Sequence, residues 1–157
     1  GKMNKVITTK KELEELTEKD IGIIERGIWK LNKQYKAKIW VRGIAEIDLS
    51  ENCLIQEVYG NSQISRAYGN SQIYNAYENC QIHEVYENSQ IYNAYGDCLI
   101  HSASGNCLIH NASGNCLIRE AYDFVQIKGN KPLRMFGNSR MIEYPKNIED
   151  WIKFAKS

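Results

Sequence analysis

No apolar run in the 157-residue chain approaches the roughly 20 residues that span a bilayer, and no charged-then-apolar leader opens it. Neither a membrane helix nor a secretory signal is therefore expected, and the expectation is a soluble, cytoplasmic protein. Gly1 and Lys2 ahead of Met3 read as an appended leader, with Met3 as the natural start. Threonine is confined to Thr8, Thr9 and Thr17, which excludes the regular threonine rows of an ice-binding surface. The five cysteines show no C-x-x-C spacing, and there is no Gly-rich phosphate loop, catalytic-triad spacing or paired-carboxylate signature. No enzymatic activity, catalytic residue or cofactor is expected. Basic side chains are nearly missing from the middle of the chain: residues 44–127 carry 2 against 10 acidic ones. Residues 1–43 carry 11 basic and 6 acidic side chains, and residues 128–157 carry 7 and 3, so a net charge of only +1 conceals an acidic body between basic ends.

What is present is a repeat. A nine-residue unit with the consensus [GE]-N-[SC]-[QL]-I-x-x-[AV]-[YS] runs eight times without a gap from Glu51 to Tyr122. The fifth position is Ile in every copy, from Ile55 to Ile118, and the second is Asn in all but one copy, where Asp97 replaces it. Columns of such purity mean that each copy meets the same neighbours as the next, as stacked coils do. A nine-residue coil would have a perimeter of about 30 Å, too short to enclose two sheets ~10 Å apart. Position seven also alternates, with Asn75, Asn93 and Asn111 in every second unit. Both observations predict an all-β fold with small helical caps: a parallel β-solenoid of nonapeptide repeats, about 18 residues per coil, with residues 44–129 as its body and the eight units forming about four coils.

Strand parity places positions three and five inward and four and six outward, so the strand is expected over segments such as Cys98–His101. Glu51, Glu78 and Glu87 at position one imply that no positive φ is required there, which assigns the special corner conformation to the Asn of position two. An open solenoid exposes strand edges at both ends, and residues 1–43 and 130–157 are read as its caps. Thr9 with Glu12 has capping-box spacing, and Leu13, Leu16, Ile21, Ile23 and Ile24 supply apolar positions for a short helix and its continuation. The alternation of Tyr35, Ala37, Ile39 and Val41 with charged or aromatic neighbours predicts a strand leading into the first coil. Tyr122–Gly129 reads as a degraded ninth unit with Val125 and Ile127 inward. Gly137–Met141 resumes the motif out of phase after Lys131-Pro132, and a closing helix over 148–155 is expected to pack Trp151 and Phe154 inward.

Cys53, Cys80, Cys98, Cys107 and Cys116 all occupy inward position three, where Ser is the alternative, and read as small buried thiols. His83 and His101 should stack on one sheet with His110 on the other, and two ligands without a nearby carboxylate make a poor site, so no metal is expected. Calcium-binding β-rolls share the nine-residue period, but their ligand aspartates have no counterpart here, and the hexapeptide-repeat acyltransferases have a period of six. The units Gly60-Asn61-Ser62-Gln63-Ile64 and Gly69-Asn70-Ser71-Gln72-Ile73, with their successors, resemble a group of phage and prophage proteins built from tandem G-N-S-x-[VI] units. That resemblance implies a solenoid without an assigned activity.

Two surfaces suggest function. Tyr74 and Tyr92 should stack on one outer face, and with Glu78, Glu84 and Glu87 they form an acidic, tyrosine-bearing surface suited to a basic protein partner, such as a host protein that handles nucleic acid. By fold analogy, pentapeptide-repeat solenoids inhibit such proteins by imitating a duplex. The alternative is nucleic-acid binding by Lys30, Lys33, Lys36, Lys38, Trp40 and Arg42, which interleave charge and aromatics with Trp29 and Tyr35. A structural or assembly role, and a homo-oligomer, are compatible with the same repeat.

Overall fold

Each isoleucine of the fifth column, Ile55, Ile64, Ile73, Ile82, Ile91, Ile100, Ile109 and Ile118, is completely buried. Removing one such side chain from water stabilises the fold by ~1.5–3 kcal/mol, and the column repeats that contribution in every strand. A computed structural model describes residues 3–143, 145 and 147–157; Gly1 and Lys2 lie outside that set. Ahead of the repeat stand β1 (Met3–Val6), α1 (Lys10–Glu14), β2 (Asp20–Ile24), β3 (Ile28–Leu31), β4 (Lys38–Val41) and β5 (Glu46–Leu49). The eight units supply β6 (Leu54–Val58), β7 (Gln63–Ala67), β8 (Gln72–Ala76), β9 (Gln81–Val85), β10 (Gln90–Ala94), β11 (Leu99–Ala103), β12 (Leu108–Ala112) and β13 (Leu117–Ala121). After them come β14 (Gln126–Gly129), β15 (Arg134–Met135), β16 (Arg140–Met141) and α2 (Ile148–Lys156).

Strands alternate between two parallel sheets. One runs β1-β2-β4-β6-β8-β10-β12-β14-β16 and the other β15-β13-β11-β9-β7-β5-β3, which makes a β-solenoid of about 8 turns with ~18 residues per turn. Within the repeat the register is strict: Ile91 pairs with Ile73 and Ile109, and Ala94 with Ala76 and Ala112. The repeat body therefore forms the four expected coils, and the same two sheets continue beyond it at both ends.

Each strand begins one residue later and ends two residues later than expected. In β11, Leu99, His101 and Ser102 face outward while Ile100 and Ala103 are buried, so two successive outward residues precede the inward Ala or Val of position eight. The inward set is thus positions three, five and eight, and Cys98 sits just ahead of the strand rather than in it.

The corner conformation also falls elsewhere than expected. Position one, and not the Asn, takes positive φ: Gly60, Gly69, Gly96, Gly105 and Gly114 lie between 59° and 69°, and Glu51, Glu78, Glu87 and Asp123 between 55° and 58°. The acidic residues tolerate this because their side chains are used. The Gly60 N–H donates to Glu78 Oε2 at 3.0 Å, the Gly69 N–H to Glu87 Oε2 at 2.9 Å and the Gly105 N–H to Asp123 Oδ2 at 2.9 Å. Each carboxylate reaches back one coil to satisfy a donor that the corner leaves unpaired. Along one edge, acid and glycine alternate as Glu51, Gly69, Glu87, Gly105, Asp123 and Gly137.

At the N-terminal end the capping box forms as expected, with the Glu12 N–H donating to Thr9 Oγ1 at 3.1 Å and the Thr9 N–H to Glu12 Oε1 at 3.0 Å. Leu13 and Leu16 are buried from that side. Gly22 makes room for them: a Cβ there would lie 2.5 Å from Leu16 Cδ1. Ile21, Ile23 and Ile24 belong to β2 and not to a continuation of the helix, because their backbone is committed to the β1 and β4 ladders. The strand expected from the alternation of Tyr35 to Val41 is confined to β4, with Tyr35 half-buried ahead of it, and β5 follows before the first repeat.

At the other end Val125 and Ile127 are fully buried, and Gly137–Met141 restores the coil: Gly137 has φ 62° and Met141 pairs with Ile127. The final step spans 14 residues, from Gln126 to Arg140. The closing helix α2 forms behind its Asn147 cap, but none of its residues is buried. Trp151 and Phe154, expected to pack inward, are each 45% exposed and meet edge to face at 5.7 Å. Pairing β16 with β14 already covers the last coil, so α2 is not needed there.

Candidate functional site

Because successive units alternate between sheets, their outward side chains form four separate surfaces: two sheet faces and two corners. On the nine-stranded sheet, Tyr74 and Tyr92 stack as expected, with ring centroids 5.0 Å apart, and His110 meets Tyr92 edge-on at 4.7 Å. The Tyr92 hydroxyl donates to Gln72 Oε1 at 2.9 Å, and an amide ladder runs alongside, with Asn93 Nδ2 donating to Asn75 Oδ1 at 3.1 Å. Stacking along the coil axis consumes the ring faces and leaves edges and hydroxyls outward. This face is polar, and the one carboxylate on its repeat strands is Glu57 of β6, which pairs with Asn75 beside Tyr74.

The opposite sheet carries Glu84 on β9. His83 and His101 stack there at 4.7 Å and 3°, as expected, while His110 lies on the other sheet. The His101 imidazole is held below its ordinary pKa by burial and by the fields of His83 and Arg119. Among the described residues no group of three or more His, Cys, Asp and Glu side chains could hold a metal ion.

The two corners differ in their tyrosine ladders. One carries the ladder Tyr59–Tyr77–Tyr95, with centroid spacings of 5.1 and 5.0 Å and rings parallel to 4°. Burial pushes the Tyr77 hydroxyl up to about 12, helped by the negative fields of Glu57 and Glu78 and by its stacked neighbours. Burial, then Glu57 and Glu78, also raises Tyr95, which is 38% exposed. Glu57 Oε2 is buried without a hydrogen-bond partner, and burial raises that carboxyl as well. The second corner carries Tyr68–Tyr86 at 5.2 Å, but there Arg66 lies 5.0 Å over the Tyr68 ring and binds Asp48 at 2.6 Å. Both corners carry acids, with Glu51, Glu87 and Asp123 lining the second, and the first is set apart by its three-ring ladder, whose Tyr77 and Tyr95 lie in the fields of Glu57 and Glu78.

The residues expected to bind a protein are therefore dispersed: Tyr74 and Tyr92 on one sheet, Glu84 on the other, Glu78 and Glu87 on different corners. Glu57, Tyr59, Tyr77 and Tyr95 gather around Glu78 instead, and the sequence signal that joins them is that positions seven and nine of alternate units share an edge. The basic set also divides. Lys30 and Lys33 line a cleft beside α1; Lys38 and Trp40 lie on β4 of the opposite sheet, with Lys36 exposed before it. Arg42 is occupied, binding Glu25 at 2.6 Å and the Tyr59 hydroxyl at 3.5 Å.

Fold and corners together define a parallel β-solenoid with tyrosine-lined, acid-bearing edges. No protein-family model matches the chain, and no match is found among curated proteins or solved structures. No helix among the described residues is long and apolar enough to cross a membrane.

Proposed function

We propose that the protein is a non-enzymatic binding protein that presents its acidic tyrosine corner to a basic protein partner. The observation that carries this reading is the ladder Tyr59–Tyr77–Tyr95 set against Glu57 and Glu78 on a body with 10 acidic and 2 basic side chains. Tyrosine is the side chain that most often anchors protein interfaces, and rings already fixed in a stack lose little entropy on docking. The surrounding carboxylates attract a basic partner from a distance. A host protein that handles nucleic acid is the partner class such a rod suits, since an acidic edge competes for the basic groove that a duplex would fill. The likeness of the repeat to phage and prophage solenoids supports an origin in a phage or mobile element.

Affinity capture from host lysate at graded salt tests the reading. The parent chain should retain a basic protein at low salt, and Glu57→Gln with Glu78→Gln should lose it while melting as a folded protein. Capture of the same proteins by parent and variant, or capture indifferent to salt, would sink the proposal.

A further inference from the structure

Beside α1 the solenoid wall opens into a cleft of about 750 Å³, bounded by that helix, the turn before β3, β3 itself and the segment 32–35. The volume falls within the ~300–1,000 Å³ of ordinary small-molecule sites. Trp29 and Tyr35 line it, both packed in part against the core. Unlike the tyrosines of the repeat, neither ring stacks on another aromatic among the described residues, although Lys33 lies over the Tyr35 ring. The indole is also held in place. Its Nε1–H donates to the Arg26 carbonyl at 2.8 Å, over Gly27 with φ 90°, where a Cβ would come within 3.1 Å of that nitrogen.

The charge in the cleft is net positive. Lys10, Arg26 and Lys30 are exposed and have no ion-pair partner among the described residues. The one carboxylate in the lining, Glu14, is already bound by Lys33, whose ammonium lies 5.4 Å over the Tyr35 ring. A preset aromatic surface beside three free cations is the arrangement that recognises a planar ring bearing an anion. The acidic repeat body repels such a ligand along the middle of the rod, and of the two basic ends this one holds the aromatic cleft.

We propose that the cleft binds a nucleoside phosphate, its base stacked on Trp29 or Tyr35 and its phosphate held by Lys10, Arg26 and Lys30. The same chemistry is offered by a free nucleotide and by the terminal unit of a single strand. The site shares no residue with the acidic corner, so its failure and that of the protein-binding reading are separable.

Titration of the full chain with adenosine monophosphate, with a short labelled oligothymidylate and with inorganic phosphate tests it. Binding of at least one nucleotide probe well above inorganic phosphate is expected, with the Trp29 indole N–H resonance shifting on addition. Retention of adenosine monophosphate identifies a free-nucleotide site, and retention of the oligonucleotide alone identifies a strand end. Arg26→Glu with Lys30→Glu, both exposed positions, should weaken that binding at least tenfold without lowering the melting temperature, whereas Lys131→Glu with Lys153→Glu at the far end should leave it unchanged. The proposal is overturned if neither nucleotide probe exceeds inorganic phosphate, or if the remote reversals weaken binding as much as those in the cleft.

Discussion

The Glu87 carboxylate accepts a hydrogen bond of 2.9 Å from the Gly69 N–H one coil earlier, while Glu87 itself sits at φ 56°. Two opposed effects meet at this residue. The left-handed conformation costs an L-residue about 1–2 kcal/mol, and the carboxylate offsets this by satisfying a corner donor. Replacing Glu87 by Ala removes the bond and keeps the strain, whereas replacing it by Gly removes both. Glu87→Gly should therefore be more stable than Glu87→Ala by about 1 kcal/mol, measured by denaturant unfolding. Equal stabilities would mean that the corner conformation is not strained.

The inward and outward columns should separate just as clearly. Ile91 is fully buried in a middle strand, whereas its neighbour Gln90 lies partly exposed and bonds His110 at 2.7 Å across the surface. Ile91→Ala should cost about 2–5 kcal/mol and Gln90→Ala less than about 0.5 kcal/mol. Equal losses on thermal melting would contradict the assigned faces.

The period, the sheet pairing and the buried columns were legible because core packing forces every copy to repeat the same inward residues. The coils from Met3 to Leu49 were less so. Their inward positions are filled by Ile39, Val41, Ile47 and Leu49 without the Asn and Ile columns, and their steps slip to 17 residues, as from Ile21 to Lys38. Glu78 and Glu87 were misjudged because a β-carbon at positive φ reads as excluded until the carboxylate's partner one coil away is known. The functional surface was scattered for a related reason. A nine-residue period ties side chains to columns, but only the assignment of alternate units to opposite sheets tells which columns share a face, and it separates Tyr92 from Glu84. Trp151 and Phe154 have helical spacing, but a hydrophobic pattern does not say whether a surface waits to receive it.

The thiol column predicts both reactivity and pH dependence. Burial pushes Cys53 and Cys107 up to about 12, and hydrogen bonds with Cys116 and with Cys80, whose sulfur is 3.5 Å away, together with burial raise Cys98. All five cysteines are buried and should resist a thiol reagent in the native chain, then react together after denaturation. In the unfolded chain the thiols ionise near their ordinary pKa of ~8.5. Below that pH both states keep the protons of Cys53 and Cys107, and the stability these two thiols contribute is fully present. Above it these two thiols lose protons in the unfolded state alone, so their contribution to stability should fall as pH rises toward 12. Melting temperatures from pH 8 to 11 should decline, and less steeply in a Cys53→Ser, Cys107→Ser double variant, since Ser62, Ser71 and Ser89 already fill equivalent positions. Rapid native labelling of Cys107, or an unchanged slope in the double variant, would contradict this account.

Because the outward residues fall on four surfaces, variants grouped by surface can identify the one that meets a partner. Tyr77→Ala with Tyr95→Ala removes two rings of the acidic corner, Tyr74→Ala with Tyr92→Ala the exposed ladder of the nine-stranded sheet, Glu84→Gln a carboxylate of the opposite sheet, and Glu87→Gln one of the other corner. If the first corner is the interface, its tyrosine pair should shorten the lifetime of the complex by tenfold or more, since hot-spot losses act chiefly on dissociation. Glu57→Gln with Glu78→Gln should instead slow association and flatten its dependence on ionic strength, because the exposed Glu78 carboxylate, backed by the half-buried Glu57, steers over a screening length of ~8 Å in physiological salt. Glu84→Gln combined with Glu87→Gln removes the same number of charges from other surfaces and should shift association far less. The comparison is read by surface-immobilised kinetics on variants whose melting curves match the parent. A tenfold loss confined to the Tyr74 and Tyr92 pair would move the interface to the nine-stranded face. Equal effects from all four groups would show that net charge alone draws the partner, and that no single edge of the solenoid recognises it.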